Sequence, residues 1–147
     1  MQTISNLSYT SPRKWIADAV SSENVILRGI TALEYLQYFV GYIGENTIDV
    51  YSTERGKYSN VQYHVVDSYA NIEYVDINGT LCSSVNQAVN DLLHDFDNTD
   101  EDALANALSN FYYRNNESFS QLNILPNNLK NFEYMREWAV EYYTEGS

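Results

Sequence analysis

The chain has 147 residues, of which 44% are apolar and 14% aromatic, so it is long enough to bury one core and differs in composition from disordered proteins. Its 20 acidic and 8 basic side chains give a formal net charge of −12, which argues against a surface that binds nucleic acid or an anionic membrane directly. With a single cysteine and no apolar run of membrane-spanning length, we expect one soluble cytoplasmic domain over residues 1–147, with charge that suits solubility or a basic partner.

The first two predicted elements are helices. Pro12 follows a serine cap, and the apolar residues behind it at helical spacing predict a helix over about residues 12–21. A second helix is predicted in the stretch RGITALEYLQYFVG, where Thr31 and Glu34 stand in a capping-box relation and Gly41 is placed to end the helix.

The middle of the chain changes to the two-residue period of strands. The stretches TIDVYS, VQYHVV and NIEYVDI are rich in β-branched and aromatic residues and predict three strands. Asn78-Gly79 predicts a tight hairpin turn, because that turn needs positive φ at both central residues, and Thr80–Cys82 is then a short fourth strand. We expect these strands to form a mainly antiparallel sheet.

Three helices are predicted after the sheet. Ser84 and Gln87 form a capping box for the first of them, and Thr99 or Asp100 caps the second. The second helix is predicted to turn inward the residues Ala103, Leu104, Ala107, Leu108 and Phe111. The last helix is predicted after Pro126, with an inner face of Leu129, Phe132, Met135 or Arg136, Ala139, Tyr142 and Tyr143. Two helices, a sheet of about four strands and then about three helices make an α+β fold.

Cys82 is the first candidate for chemistry, since it lies between a predicted strand and a helix N-terminus that could lower its pKa. The only histidines, His64 and His94, are distant in sequence, and free cysteine is among the most buried residue types. We therefore expect core packing, and we read Asp91 as a helix residue that fixes the strand–helix junction through a hydrogen bond.

The acidic stretch HDFDNTDED is a candidate metal site, but it lacks the glycine and the final glutamate of a calcium loop. A nuclease would combine strand carboxylates with a nearby lysine, whereas Asp49 is separated from Lys57 by a probable turn. Gly-rich phosphate loops, nucleophile elbows and zinc signatures do not occur in the sequence. We expect no catalytic residues, no cofactor and no metal.

A protein partner is the expectation that remains. We expect most aromatic residues of NFYYRNN and EWAVEYYTE to pack in the core, while tyrosines left outside, mixed with glutamates, would resemble a protein-binding surface more than a nucleic-acid platform. The candidate residues for this surface are Asp97, Asp100, Glu101, Asp102, Glu137, Glu141 and Tyr143.

The order of elements and two short motifs resemble the effector domain of AbiEi-type antitoxins, which belong to type IV toxin–antitoxin systems of abortive infection. The first motif, Thr-Ala-Leu in a helix, is matched by Thr31, Ala32 and Leu33. The second, a glycine, a short strand and Ser-x-x-Arg-x-x-x-Asp, is matched by Gly79, Ser84 and Asp91, but Gln87 replaces the arginine. The resemblance covers about residues 25–107, with a helical extension over about 108–147.

That resemblance implies a non-catalytic, antitoxin-like regulator of a bacterial or phage defence system, whose cognate toxins are nucleotidyltransferase-like proteins. The family also has an N-terminal DNA-binding winged helix, and we do not expect one here because only some 25 residues precede the matching region. Two alternatives stay open. One is an acidic, nucleic-acid-mimicking inhibitor of a basic nuclease surface, similar to an anti-CRISPR protein, and the other is an enzyme that uses Cys82 or Asp49 with other carboxylates.

Overall fold

The structure is a computed structural model that describes residues 12–21, 23–38 and 48–146. The fold is α+β and forms a single domain, as the sequence predicts. Among the described residues it contains five α-helices and five strands, in the order α1 (Pro12–Ala19), β1 (Ile26–Leu27), α2 (Gly29–Tyr35), β2 (Ile48–Ser52), β3 (Val61–Val65), β4 (Tyr74–Ile77), β5 (Thr80–Ser83), α3 (Val85–His94), α4 (Glu101–Arg114) and α5 (Leu129–Gly146).

The sheet has five strands and is mixed, and its first strand lies between α1 and α2, so the prediction of two helices followed by about four mainly antiparallel strands matches only roughly. Its strand order is β3-β2-β1-β5-β4. The β1–β2 and β4–β5 pairs are antiparallel, whereas β2–β3 and β1–β5 are parallel. The extra strand is β1, whose two residues were too few to show a period, yet both are fully buried at the centre of the sheet.

The start of α2 differs from the predicted capping box. Arg28 is the N-cap and Gly29, with φ +57°, begins the helix, so Thr31 and Glu34 both lie inside it. The helix ends at Tyr35, well before Gly41, which lies outside the described residues. Thr31 Oγ1 accepts a hydrogen bond from the backbone N–H of Asp49 at 2.9 Å instead of capping the helix.

The strand–helix junction forms as predicted. Asn78 and Gly79 have φ values of +54° and +91°, as the tight turn between β4 and β5 requires. Ser84 is the N-cap of α3 and its hydroxyl accepts from the N–H of Gln87 at 3.1 Å. The reciprocal half of the capping box is absent, because the Gln87 side chain points to Glu73 and Asp91 instead.

The helices cover one main core. The predicted inner face of α4 is buried, and Asp100 is its N-cap, accepting from the N–H of Ala103 at 3.2 Å. On α5 the predicted inner residues Phe132, Met135 and Ala139 are buried, but Leu129 is exposed because it directly follows the 3-10 turn Pro126–Asn128.

Candidate functional site

Arg28 lies at the centre of a polar network between the sheet and α3. Its Nη1 donates to Asp49 Oδ2 at 3.0 Å and lies 2.8 Å from His64 Nε2. The guanidinium also lies over the Tyr51 ring, 4.9 Å from the ring centroid, as in a cation–π contact. Asp49 and Tyr51 are two residues apart on β2, so they share one face of the sheet, and His64 pairs with Tyr51 from β3.

One imidazole nitrogen of His64 faces two groups of opposite charge. His64 Nε2 lies 2.8 Å from the Arg28 guanidinium and 3.1 Å from Asp49 Oδ1. Neutral imidazole with its proton on Nδ1 accepts the hydrogen bond from Arg28, which leaves Asp49 Oδ1 without a donor. Imidazole with a proton on Nε2 donates to Asp49 instead. The position of the proton on the His64 ring therefore decides whether Nε2 is hydrogen-bonded to Arg28 or to Asp49.

Arg28 is held in its charged form. Burial lowers the pKa of Arg28, but the carboxylates of Asp49 and Asp91 and the Tyr51 hydroxyl outweigh burial and raise it above its ordinary value. A buried cation is stable when it is paired and hydrogen-bonded, and both conditions hold here.

Asp91 connects this network to α3. The Tyr51 hydroxyl donates to Asp91 Oδ2 at 2.5 Å, and Gln87 Nε2 donates to Oδ1 at 3.1 Å. Burial raises the pKa of Asp91, although the hydrogen bond from Tyr51, the charge of Arg28 and the bond from Gln87 act in the opposite direction. Burial and Asp91 raise the pKa of Tyr51 to about 12, so the phenol keeps its proton and donates it. Asp91 therefore connects α3 to β2, and it reaches the hairpin beside the predicted junction through Gln87, whose Oε1 accepts from the N–H of Glu73.

The structure brings together three of the seven motif positions. Thr31 holds the backbone of β2 beside Arg28, while Gln87 and Asp91 belong to the network itself. The other four lie apart: Ser84 caps α3, Ala32 and Leu33 are buried in the core, and Gly79 is at the hairpin turn with open space around it.

Sequence reasoning missed Arg28, Tyr51 and His64. One signal was available in Gly29, which follows Arg28. A Cβ at Gly29 would lie 3.1 Å from Asp49 Oδ2 and 3.3 Å from the Leu92 side chain, so the absence of a side chain lets α2 approach β2.

Cys82 is a core residue, as expected. Its side chain is fully buried and its sulfur lies 3.7 Å from the Ala32 carbonyl oxygen. Burial raises the pKa of the Cys82 thiol to about 12, so it is protonated at neutral pH and is not a nucleophile.

The predicted partner surface is divided between two places. Asp97, Asp100 and Asp102 are exposed around the N-terminus of α4, with Glu101 half-buried beside them. Glu137 and Glu141 are exposed one turn apart on α5. The exposed Tyr134 of α5 has a raised pKa because the Glu101 carboxylate is hydrogen-bonded to it, which links the two places. Tyr143 lies in α5, but its side chain is outside the described part of the structure.

A cleft of about 200 Å³ runs along α3, and Gln87 and Asp91 are among its lining residues. Side-chain amides dominate its lining, which comprises Glu73, Asn86, Gln87, Asn90, Asp91, His94, Asn123, Leu125, Asn127 and Asn128. Several of these amides hold an extended segment of the chain: Asn86 Oδ1 accepts from the N–H of Asn123 at 2.8 Å, and Asn90 Oδ1 accepts from that of Leu125 at 2.9 Å.

No family model, curated protein or solved structure matches this chain. In the described part of the chain, none of the helices is both long and apolar enough to span a membrane. The same residues contain no group of three or more His, Cys, Asp or Glu side chains that could hold a metal ion.

Proposed function

We propose that this protein is a non-catalytic, antitoxin-like regulator of a bacterial or phage defence system that acts by contact with another protein. The observation that carries the proposal is the convergence of Thr31, Gln87 and Asp91 on the Arg28 network. Three positions of the motifs that resemble those of AbiEi-type antitoxins thus lie at the contacts that join α2, β2 and α3.

The chemistry of the network favours a structural role over a catalytic one. The charge of Arg28 is compensated by Asp49 and Asp91. The Tyr51 hydroxyl donates a hydrogen bond to Asp91 and, because its pKa is raised to about 12, it keeps its proton near neutral pH. Arg28, Tyr51 and Asp91 have their main polar contacts with one another and with Asp49, whereas an acid–base catalyst needs a pKa near the working pH and access to substrate. Such a network fixes the geometry of the surrounding surface.

The partner expected for this domain is a nucleotidyltransferase-like toxin encoded beside it. The exposed carboxylates of α4 and α5 provide a contact surface for a basic protein. The proposed contact residues are the exposed Asp97, Asp100 and Asp102 around the start of α4 and the exposed Glu137 and Glu141 on α5, where Glu133 is exposed as well.

Co-expression tests this proposal. The neighbouring nucleotidyltransferase-like protein is induced in a bacterial host with and without this protein, and growth is measured. We expect the wild-type protein to restore growth. If the protein suppresses the toxicity of none of the neighbouring gene products, the proposed function is refuted.

Surface variants show whether the carboxylates are used. The double variant Glu137→Lys/Glu141→Lys should lose suppression, because it reverses two exposed charges without touching the core. The matched control Glu54→Lys/Asp67→Lys makes the same charge change at exposed positions near β2 and β3 and should still suppress. Equal suppression by both double variants would exclude the α5 carboxylates as the contact.

A second candidate is an acidic inhibitor that occupies the nucleic-acid channel of a basic nuclease. It is favoured by the stretch from Asp95 to Asp102, which has five carboxylates and no basic residue, most of them exposed. Binding of purified nucleases at rising ionic strength separates the two functions. Nucleic-acid mimicry requires affinity that falls steeply with salt, because exposed charges are screened within about 10 Å at 0.1 M salt.

A further inference from the structure

The free edge of β4 is a surface on which an extended peptide can bind. In the described part of the chain β4 is an outer strand of the sheet, with β5 on its inner side only. Tyr74 and Val75 expose 42% and 43% of their surface, and Glu73 and Asp76 are also exposed. Outer strands of this kind are usually blocked by charge, proline, bulges or a covering segment, because they pair readily with other chains.

The register of the hairpin determines which backbone groups face outward. Ile77 and Thr80 flank a two-residue turn, so they exchange both backbone hydrogen bonds, and antiparallel pairs then alternate along the ladder. The bond from the N–H of Ser84 to the carbonyl of Glu73, at 3.0 Å, fits this alternation. The backbone N–H and C=O groups of Val75 therefore face β5. Those of Tyr74 and Asp76 point away from the sheet.

This edge leads into the cleft along α3. Glu73, the residue before β4, lines the cleft, and its N–H is held by Gln87 Oε1 at 2.9 Å. On the other side, Asn86 and Asn90 hold the extended segment around Asn123 in the same manner. A peptide that pairs with β4 would thus continue between two backbones that α3 already binds through side-chain amides.

Charge determines what kind of chain fits. Glu73 and Asp76 flank the exposed edge, Asp91 and Glu73 lie in the cleft, and the described lining of the cleft contains neither lysine nor arginine. A second copy of this chain would bring the same carboxylates together, against a net charge of −12 on each molecule. An extended segment with Lys or Arg beside apolar residues complements both the carboxylates and the exposed Val75.

We propose that the β4 edge and the adjoining α3 cleft bind an extended, basic and apolar segment of a partner protein by strand addition. Main-chain hydrogen bonds to Tyr74 and Asp76 would provide the pairing, and contacts with Val75 and the carboxylates would provide the preference. This inference rests on the proposed function, because it names the chemistry of the partner's contacting segment.

The probe for the experiment is the designed peptide acetyl-Lys-Val-Lys-Val-Lys-Val-amide, titrated into the full-length isotope-labelled protein and followed by NMR. In the free protein we expect the amide hydrogens of Tyr74 and Asp76 to exchange rapidly and those of Val75 and Ile77 slowly. Saturating peptide should slow exchange at Tyr74 and Asp76. Unchanged exchange at both residues would overturn the proposal.

Two controls test the mode of binding. A peptide N-methylated at alternate residues should bind weakly, because it loses main-chain donors but keeps its side chains and charge. A peptide with glutamate in place of lysine should also bind weakly. Binding of either control as tightly as the probe would contradict strand addition by a basic segment.

Matched variants place the site on the protein. Val75→Lys should weaken binding by about tenfold or more, since charge on an outer strand opposes pairing, whereas Val65→Lys on the opposite outer strand should change it by less than about twofold. Val65 is 57% exposed, so neither substitution disturbs the core. Dimerisation of the wild type that Val75→Lys abolishes, seen by light scattering, would assign the edge to a second copy and refute the proposal.

Cellular suppression separates this inference from the proposed function. If the protein binds the peptide at β4 but suppresses no toxin, the edge site stands and the proposed function is refuted. Suppression that is equal in the wild type and in Val75→Lys would retain the function and reject the edge as its contact.

Discussion

Replacement of Arg28 by methionine tests the network most directly. The change keeps the length of the side chain and removes the charge that Asp49 and Asp91 surround. Arg28 and Asp49 have only 12% and 22% of their side chains exposed, so the carboxylates would lose their counter-ion in a largely desolvated place. The expected result is a large loss of stability.

The magnitude follows from the cost of breaking a buried pair. Removal of one partner from a fully buried ion pair costs about 3–5 kcal/mol, and loss of a cation–π contact adds about 0.5–1 kcal/mol. Partial exposure of both side chains reduces this, so we expect Arg28→Met to lower the free energy of unfolding by about 2–4 kcal/mol. A typical domain has a total of about 5–15 kcal/mol, so the change is measurable by urea denaturation.

The control is the exposed pair Lys14–Asp18, whose side chains are 70% and 45% exposed. Lys14→Met should cost no more than about 0.5 kcal/mol, because exposed pairs in one helix contribute little. In a double-mutant cycle, Arg28→Met and Asp49→Asn should couple by about 1.5 kcal/mol or more. A loss below about 1 kcal/mol for Arg28→Met, with additive effects in the cycle, would refute the interpretation of the network.

The same variant has a predictable pH dependence. Burial already raises the pKa of Asp91, and the positive charge of Arg28 opposes that rise. Without Arg28 the folded-state pKa of Asp91 rises further above the unfolded value. A carboxyl whose pKa is raised by folding lowers the stability of the protein at a pH where it is ionised. This loss of stability disappears as the carboxyl becomes protonated at lower pH. The stability deficit of Arg28→Met should therefore shrink as the pH falls through the raised pKa of Asp91.

Three further predictions concern residues outside the centre of the network. Burial raises the pKa of Glu34 from 4.5 to about 7, and both of its carboxylate oxygens are buried without hydrogen bonds. The free energy of unfolding of the wild type should therefore fall by about 2–3 kcal/mol between pH 5 and pH 8. Glu34→Gln should remove that pH dependence in urea titrations. Cys82 should not react with a thiol reagent in the native state and should react fully in denaturant, so rapid native labelling would contradict its burial. Gly29→Ala should lower stability by about 1 kcal/mol more than Gly79→Ala. Both glycines have positive φ, but only at Gly29 would an added Cβ press on Asp49 and Leu92. Equal shifts in melting temperature for the two variants would contradict this.

The sequence predicted the elements whose signals are local. The Asn78-Gly79 turn, the Ser84 cap and the inner face of α4 depend on neighbouring residues, and all three are present. The capping box at Thr31 and Glu34 failed because a tertiary contact took precedence: Thr31 binds the backbone of Asp49 on a strand that is distant in sequence.

The candidate site was predicted only in part for the same reason. The sequence predicted a hydrogen bond at Asp91, and its bond to Gln87 is local, whereas its bond to Tyr51 and the meeting of Arg28 with His64 depend on strands distant in sequence. Parallel pairing does not show in residue alternation, which reports only which face of a strand is buried. Gly29 was the available local signal, because glycine is the residue that permits a positive φ and a close approach between backbones, and the structure shows both at this position.

The two-residue strand β1 has a consequence for the order of folding. Among the described residues it alone joins the β2–β3 half of the sheet to the β4–β5 hairpin, pairing Ile26 with Tyr51 on one side and with Leu81 on the other. The hairpin closes through a short turn, whereas the pairing of Ile26 with Leu81 must first close a long loop. We therefore expect the hairpin to form before the centre of the sheet, and the polar network around Arg28, the residue directly after β1, to assemble when the two halves meet.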